Sequence, residues 1–134
     1  MIEEPARSLA RAGNFAAFTT LLPDGRPMTH VMWVDCDDEH LLINSVEGRR
    51  KVRNVEANPE VAVTIWDRDD PYRYAEVRGR VVEIVRGPEA GEHIDVLSRR
   101  YLGRPYPAEG RDRRVILRIA AHRQRDKPGM PGSS

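Results

Sequence analysis

A single cysteine, Cys36, leaves this chain no internal disulfide framework and no thiolate-based metal cluster. Charge of one sign is missing too: 22 basic residues face 21 acidic ones, for a formal net charge of +1. No global field therefore recruits nucleic acid. Aromatic residues make up 6% of the chain, too few for the interleaved stacking platform of a single-strand binder. No apolar run approaches the roughly 20 residues of a membrane span. Met1-Ile2-Glu3-Glu4 lacks a signal-peptide pattern, so a cytoplasmic protein is expected. Gly-x-Ser-x-Gly, His-Glu-x-x-His and the phosphate loop of nucleotide hydrolases are absent. The histidines (His30, His40, His93, His122) fall in unrelated segments, and no metal is expected. Cys36 sits between Asp35 and Asp37, whose charge disfavours a thiolate nucleophile. No catalytic residue stands out.

What the chain does have is short strands. At 134 residues it is long enough for one domain with a buried core. Pro5 to Ala12 reads as a short helix stopped by Gly13. Phe15–Leu22 and Pro27–Asp35 flank the turn residues Pro23-Asp24-Gly25-Arg26, which predicts a hairpin. His40–Ser45, Val61–Trp66 and Val115–Ala120 read as further strands. Tyr72–Val85 reads as a strand pair, or one bent strand broken near Gly79. Gly87-Pro88 opens a helix through Tyr101, and an irregular loop follows to Asp112. About six strands with two to three short helices predict a mainly β protein, a small closed or nearly closed barrel. Residues 1–122 are expected to form the domain, and 123–134, polar and rich in Gly and Pro, a flexible tail.

One segment carries a conflict. Gly48-Arg49-Arg50-Lys51 opens a helix that stops at Pro59, and Asn44 and Ser45 end the strand before it. A helix N-terminus has unpaired N–H groups and partial positive charge, so cations there are unfavourable unless an anion neutralises them. A phosphate is the anion such a turn suits. Of the 22 basic residues only Lys51 and Lys127 are lysine, so arginine abundance by itself means little.

The blocks Gly48-Arg49-Arg50-Lys51-Val52-Arg53-Asn54, Asn58-Pro59-Glu60-Val61-Ala62 and Asp70-Pro71-Tyr72-Arg73-Tyr74-Ala75-Glu76-Val77-Arg78-Gly79-Arg80-Val81 resemble the pyridoxamine-phosphate-oxidase-like split β-barrel superfamily. Ala17 to Pro27 and Asp112-Arg113-Arg114-Val115 fit as well, so the likeness spans roughly residues 5–120. Within the superfamily the chain most resembles the deazaflavin (coenzyme F420) oxidoreductases of actinobacteria. That resemblance implies an FMN-binding-like split barrel and a homodimer with the cofactor at its interface. It implies hydride transfer between reduced coenzyme F420 and an unsaturated small-molecule acceptor. FMN is the alternative cofactor, and a non-catalytic flavin or deazaflavin carrier the alternative role. By position, Arg49 and Lys51 would bind phosphate with Arg50 and Asn54 nearby. Met32, Trp33, Asn44 and Ser45 would face the ring and its ribityl chain. Tyr72, Arg73 and Tyr74 would reach the cofactor from the loop before the long strand. Arg53, Arg73 and Arg78 are candidates for holding an anionic tail. The loop from Leu102 to Arg111 would shape the acceptor pocket. Two departures stand out: Val31-Met32-Trp33-Val34 lacks the usual proline, and the tail Ala120-Ala121-His122-Arg123-Gln124-Arg125 differs from the family norm; the arginine- and proline-rich ending of true pyridoxamine-phosphate oxidases is absent as well.

Overall fold

A computed structural model describes residues 1–129 and shows a seven-stranded antiparallel sheet that curls into a half-barrel, the split β-barrel. In chain order the elements are α1 (Ala6–Arg11), β1 (Phe15–Leu21), β2 (Pro27–Trp33), β3 (Asp35–Cys36) and β4 (Leu41–Val46). Then come α2 (Arg50–Ala57), β5 (Glu60–Trp66), β6 (Arg73–Val85), α3 (Pro88–Leu102) and β7 (Arg114–Pro128). The strand order is β2-β1-β5-β6-β7-β4-β3, which leaves β2 and β3 as edges.

Period-two alternation decides which face turns inward. Ala16, Phe18 and Thr20 of β1, Val61, Val63 and Ile65 of β5, and Ala75 and Val77 of β6 are buried. So are Leu41 and Ile43 of β4 and Val115, Leu117 and Ile119 of β7. Leu9 and Ala10 of α1 pack into this same core, as do Val52 and Val55 of α2. The third helix lies on the outer face of β4 and β7, burying Ala90, Ile94 and Leu97.

The long segment expected as a strand pair or a bent strand is one strand, β6, with register shifts between Arg78 and Gly79 and between Val81 and Glu83. The expected flexible tail is corrected in part. Strand β7 runs on through Arg123–Pro128, pairing Arg123 with Arg78 and Pro128 with Arg73. Gln124 there accepts from Glu3 N (2.9 Å) and donates to Met1 O (2.9 Å). No apolar alternation marks these residues because they bury little; the backbone ladder to β6 holds them. The rest of the predicted tail, 130–134, lies outside the described residues.

Candidate functional site

The turn that ends β4 places the basic cluster. Gly48 has φ +88°, a left-handed conformation natural to glycine, and Arg49 then caps α2 with no side-chain cap. Among the described residues no backbone or side-chain acceptor takes the N–H of Arg50 or Lys51. Arg49 and Arg50 are exposed, but Lys51 is only 9% exposed. None of the three joins an ion pair among the described residues. The nearby carboxylates are already engaged: Arg86 donates to Glu47 (3.1 Å) and to Glu56 (3.2 Å). Burial, then the charge of Arg49, pulls the Lys51 pKa below its ordinary value. A nearly buried ammonium next to arginines at a helix N-terminus is an arrangement that an anion would neutralise.

Asn54 anchors this helix. Its Nδ2 donates to Thr20 Oγ1 of β1 (3.0 Å) and its Oδ1 accepts from Arg50 Nε (3.0 Å). That amide is committed to packing and to aiming Arg50.

Asn44 and Ser45, neighbours in sequence, point to opposite faces of β4. Ser45 is buried on the core side beside Ile43, while Asn44 faces α3. Met32, Trp33 and Asn44 line one cavity of about 270 Å³ together with Val31, Ile94, Leu97, Tyr106 and Arg114. Trp33 is held by stacking on Tyr101, with ring centroids 4.9 Å apart and planes 8° from parallel. Arg114 of the cavity wall pairs across the ladder with Val46, three residues before Arg49, while Trp33 pairs with Phe15, five residues along β1 from the Thr20 that α2 contacts. Tyr106 comes from the loop expected to shape an acceptor pocket. A larger cavity of about 390 Å³ lies at the start of α3, but its arginine, Arg111, is spent on Asp95 (2.9 Å) and the Tyr106 carbonyl.

Tyr72, Arg73 and Tyr74 are not brought to this place. Tyr74 lies in the row Trp33–Phe15–Trp66–Tyr74, whereas α2 packs near Thr20, five residues along β1 from Phe15. At strand rise that is about 17 Å. Arg73 is paired with Asp67 (3.4 Å) and Arg78 with Glu76 (3.1 Å), so of the three tail-binding candidates only Arg53 lacks a carboxylate partner among the described residues.

Residues that sequence reading passed over complete the surroundings. Asn44 Nδ2 donates to Ala90 O (3.0 Å) and contacts His93 Nδ1 (3.0 Å), and His93 Nε2 meets Asp35 Oδ2 (3.1 Å). Arg100 donates to Asp35 Oδ1 (3.0 Å). Because Ala90 offers only an acceptor, the Asn44 nitrogen must face α3, His93 Nδ1 must accept, and Nε2 carries the proton given to Asp35. The Asn44 oxygen is left buried without a partner. No local signal joins residues 58 positions apart, as Asp35 and His93 are.

Burial alone would raise the Asp35 pKa, but hydrogen bonds from His93 and Arg100 outweigh it and hold the carboxyl below the ordinary range. The sign follows from linkage: a depressed carboxylate contributes stability above its unfolded value, about 3.9, and loses it as pH falls through the folded one. Asp35→Asn is expected to be less stable than the parent by about 1–3 kcal/mol at neutral pH. That gap should shrink as the pH falls through the folded value in strong acid. Thermal unfolding at both pH values checks this; an undiminished gap in acid would show that the ionised carboxylate is not its source. Burial chiefly pushes the Cys36 thiol up to about 11, which disfavours its thiolate. Among the described residues no group of three or more His, Cys, Asp or Glu is placed to hold a metal. No helix among them is long and apolar enough to cross a membrane.

Comparison with known proteins bears on the family and the fold. A family model described as pyridoxamine 5'-phosphate oxidase matches residues 2–127. A solved structure named F420 reductase is 37% identical, with 92% of this chain and 98% of that one covered and a TM-score of 0.80. A conserved hypothetical protein from Mycobacterium tuberculosis is 27% identical, covering 100% of this chain and 92% of its own, at a TM-score of 0.75. General stress protein 26 of Bacillus anthracis, 19% identical with 92% and 91% covered and a TM-score of 0.69, shares the fold. No curated protein matches the chain.

Proposed function

We propose, from the premise that this chain belongs to the pyridoxamine 5'-phosphate oxidase family, that it is a coenzyme F420-dependent reductase acting on an unsaturated small molecule. The observation that carries the reading is Lys51: a nearly buried cation with no carboxylate partner among the described residues, at the free N-terminus of α2 between two arginines. Arg49, Arg50, Lys51 and the first-turn N–H groups would hold the cofactor phosphate. Met32, Trp33 and Asn44 would border the ring, and Asn54 would keep the helix in register with β1. When bound, the deazaflavin supplies hydride chemistry; the chain supplies position and exclusion of water, which suits a site with no acid–base triad. The similarity to a structure named F420 reductase favours the deazaflavin over FMN.

A homodimer belongs to this reading. Strand β2 is an open edge, with Val31 64% exposed, and such an edge invites pairing with a second copy. Tyr72, Arg73 and Tyr74, distant from α2 within one chain, would then act at the site of the other protomer.

Fluorescence titration of purified apoprotein with coenzyme F420 and, in parallel, FMN tests the assignment. The expected result is micromolar or tighter binding of the deazaflavin and binding of FMN weaker by about tenfold or more, a difference of about 1.4 kcal/mol. Preference for FMN would move the protein to flavin chemistry. Tight deazaflavin binding with no turnover across an acceptor screen would make it a carrier. Binding of neither would end the reading.

A further inference from the structure

We infer that Arg50 is the arginine that orients the bound anion, and that Asn54 and Thr20 are positioning residues that act through it; this rests on the phosphate site of the function proposed above. The two arginines of the basic turn are held differently. Arg49 has no side-chain tether among the described residues, whereas Arg50 Nε donates to Asn54 Oδ1 (3.0 Å). An arginine Nε can only donate, so the Asn54 oxygen must face Arg50 and its nitrogen must face Thr20 Oγ1 (3.0 Å). Asn54 and Thr20 are each 1% exposed, so water does not compete for this chain of bonds. Thirty-four residues apart in sequence, Thr20 and Asn54 thereby tie β1 to the first residue of α2.

The other end of Arg50 is open. The residue is exposed, and its terminal NH2 groups have no partner among the described residues. It lines a cleft of about 370 Å³ with Leu22, Pro23, Asp24 and Arg26 of the turn between β1 and β2. Asp24, the carboxylate of that wall, is engaged by Arg26 (2.7 Å). A guanidinium held by its Nε keeps two donor groups in place for the oxygens of a phosphate, and little rotamer freedom is left to lose on binding. Arg49, untethered, adds charge without a fixed direction.

The test is a double-mutant cycle on binding. Dissociation constants are measured for coenzyme F420, by its fluorescence, and for inorganic pyrophosphate, by calorimetry. Arg50→Ala should weaken both about tenfold, and Arg49→Ala only about threefold. Asn54→Leu, close in volume and unable to hydrogen-bond, should weaken the parent about fivefold and the Arg49→Ala protein equally, but the Arg50→Ala protein by less than about 1.5-fold. Thr20→Val covers the case in which Asn54→Leu does not fold: it should weaken the parent about threefold and leave Arg50→Ala unchanged, while Thr20→Ser matches the parent. A loss from Asn54→Leu or Thr20→Val that is as large without Arg50 as with it overturns the inference, since those residues would then act on the ligand or the fold directly. No loss in the parent background, or parent-like affinity in Arg50→Ala, overturns it too. A parent that binds pyrophosphate but not coenzyme F420 overturns the proposed function, and the same cycle read with pyrophosphate still decides the inference. Binding of neither overturns both.

Discussion

Replacing both Arg49 and Lys51 with alanine is expected to lower cofactor affinity about 10²- to 10⁴-fold, because each charge-assisted phosphate contact is worth roughly 1.5–3 kcal/mol. The lower end suits Arg49, whose exposure lets water screen it. Lys51 carries more, since it is nearly buried and has no carboxylate partner among the described residues to compensate for a missing ligand. The fold should survive. A lysine whose pKa is depressed in the folded state opposes folding while it is charged. That penalty is fully present below its folded value and fades as pH rises towards the ordinary 10.5. Removing the ammonium therefore relieves a cost even as it removes some packing by the side-chain stem. Unfolding temperature should move by only a few degrees while titration shows the loss. Affinity held within twofold would mean that the phosphate is bound elsewhere.

The largest effect on stability is expected at Gly79. A Cβ built there would sit 2.0 Å from the carbonyl oxygen of Ala120 and 3.0 Å from its carbon, both backbone atoms of the neighbouring strand. Side chains can rotate aside, but a ladder carbonyl moves only by disturbing β6 and β7 together. Gly79 also stands at a register shift, where β7 changes from pairing with Gly79–Val85 to pairing with Arg73–Arg78. Gly79→Ala should cost about 3 kcal/mol or more, a fall of roughly 10 °C in unfolding temperature for a chain of this size. Val82→Ala, three residues on and 50% exposed, is the matched control and should change little. A drop below about 2 °C for Gly79→Ala, well under 1 kcal/mol, would show that β7 yields without strain.

Much of this molecule is legible one residue at a time. The alternation Ala16, Phe18, Thr20 and Val61, Val63, Ile65 announces strands because side chains on a pleated chain alternate faces. Gly48 followed by three cations stands out because it violates the ordinary charge preference of a helix start. The tail was illegible for the opposite reason: Arg123–Pro128 is a strand sustained by backbone pairing, and pairing leaves no mark on side-chain polarity.

Local spacing by itself determined most of the strands, the helices and the basic turn, all being properties of neighbours within a few residues. Only the tertiary structure decided that Asn44 and Ser45 part company across β4, and that Tyr74 falls in the ladder row of Phe15, five residues along β1 from the Thr20 that α2 contacts. It alone set Asp35, His93, Tyr106 and Arg114 around Asn44 and Trp33. Those contacts join distant segments through curling of the sheet and docking of α3. Such closure depends on how whole faces pack, and no short window of sequence contains it.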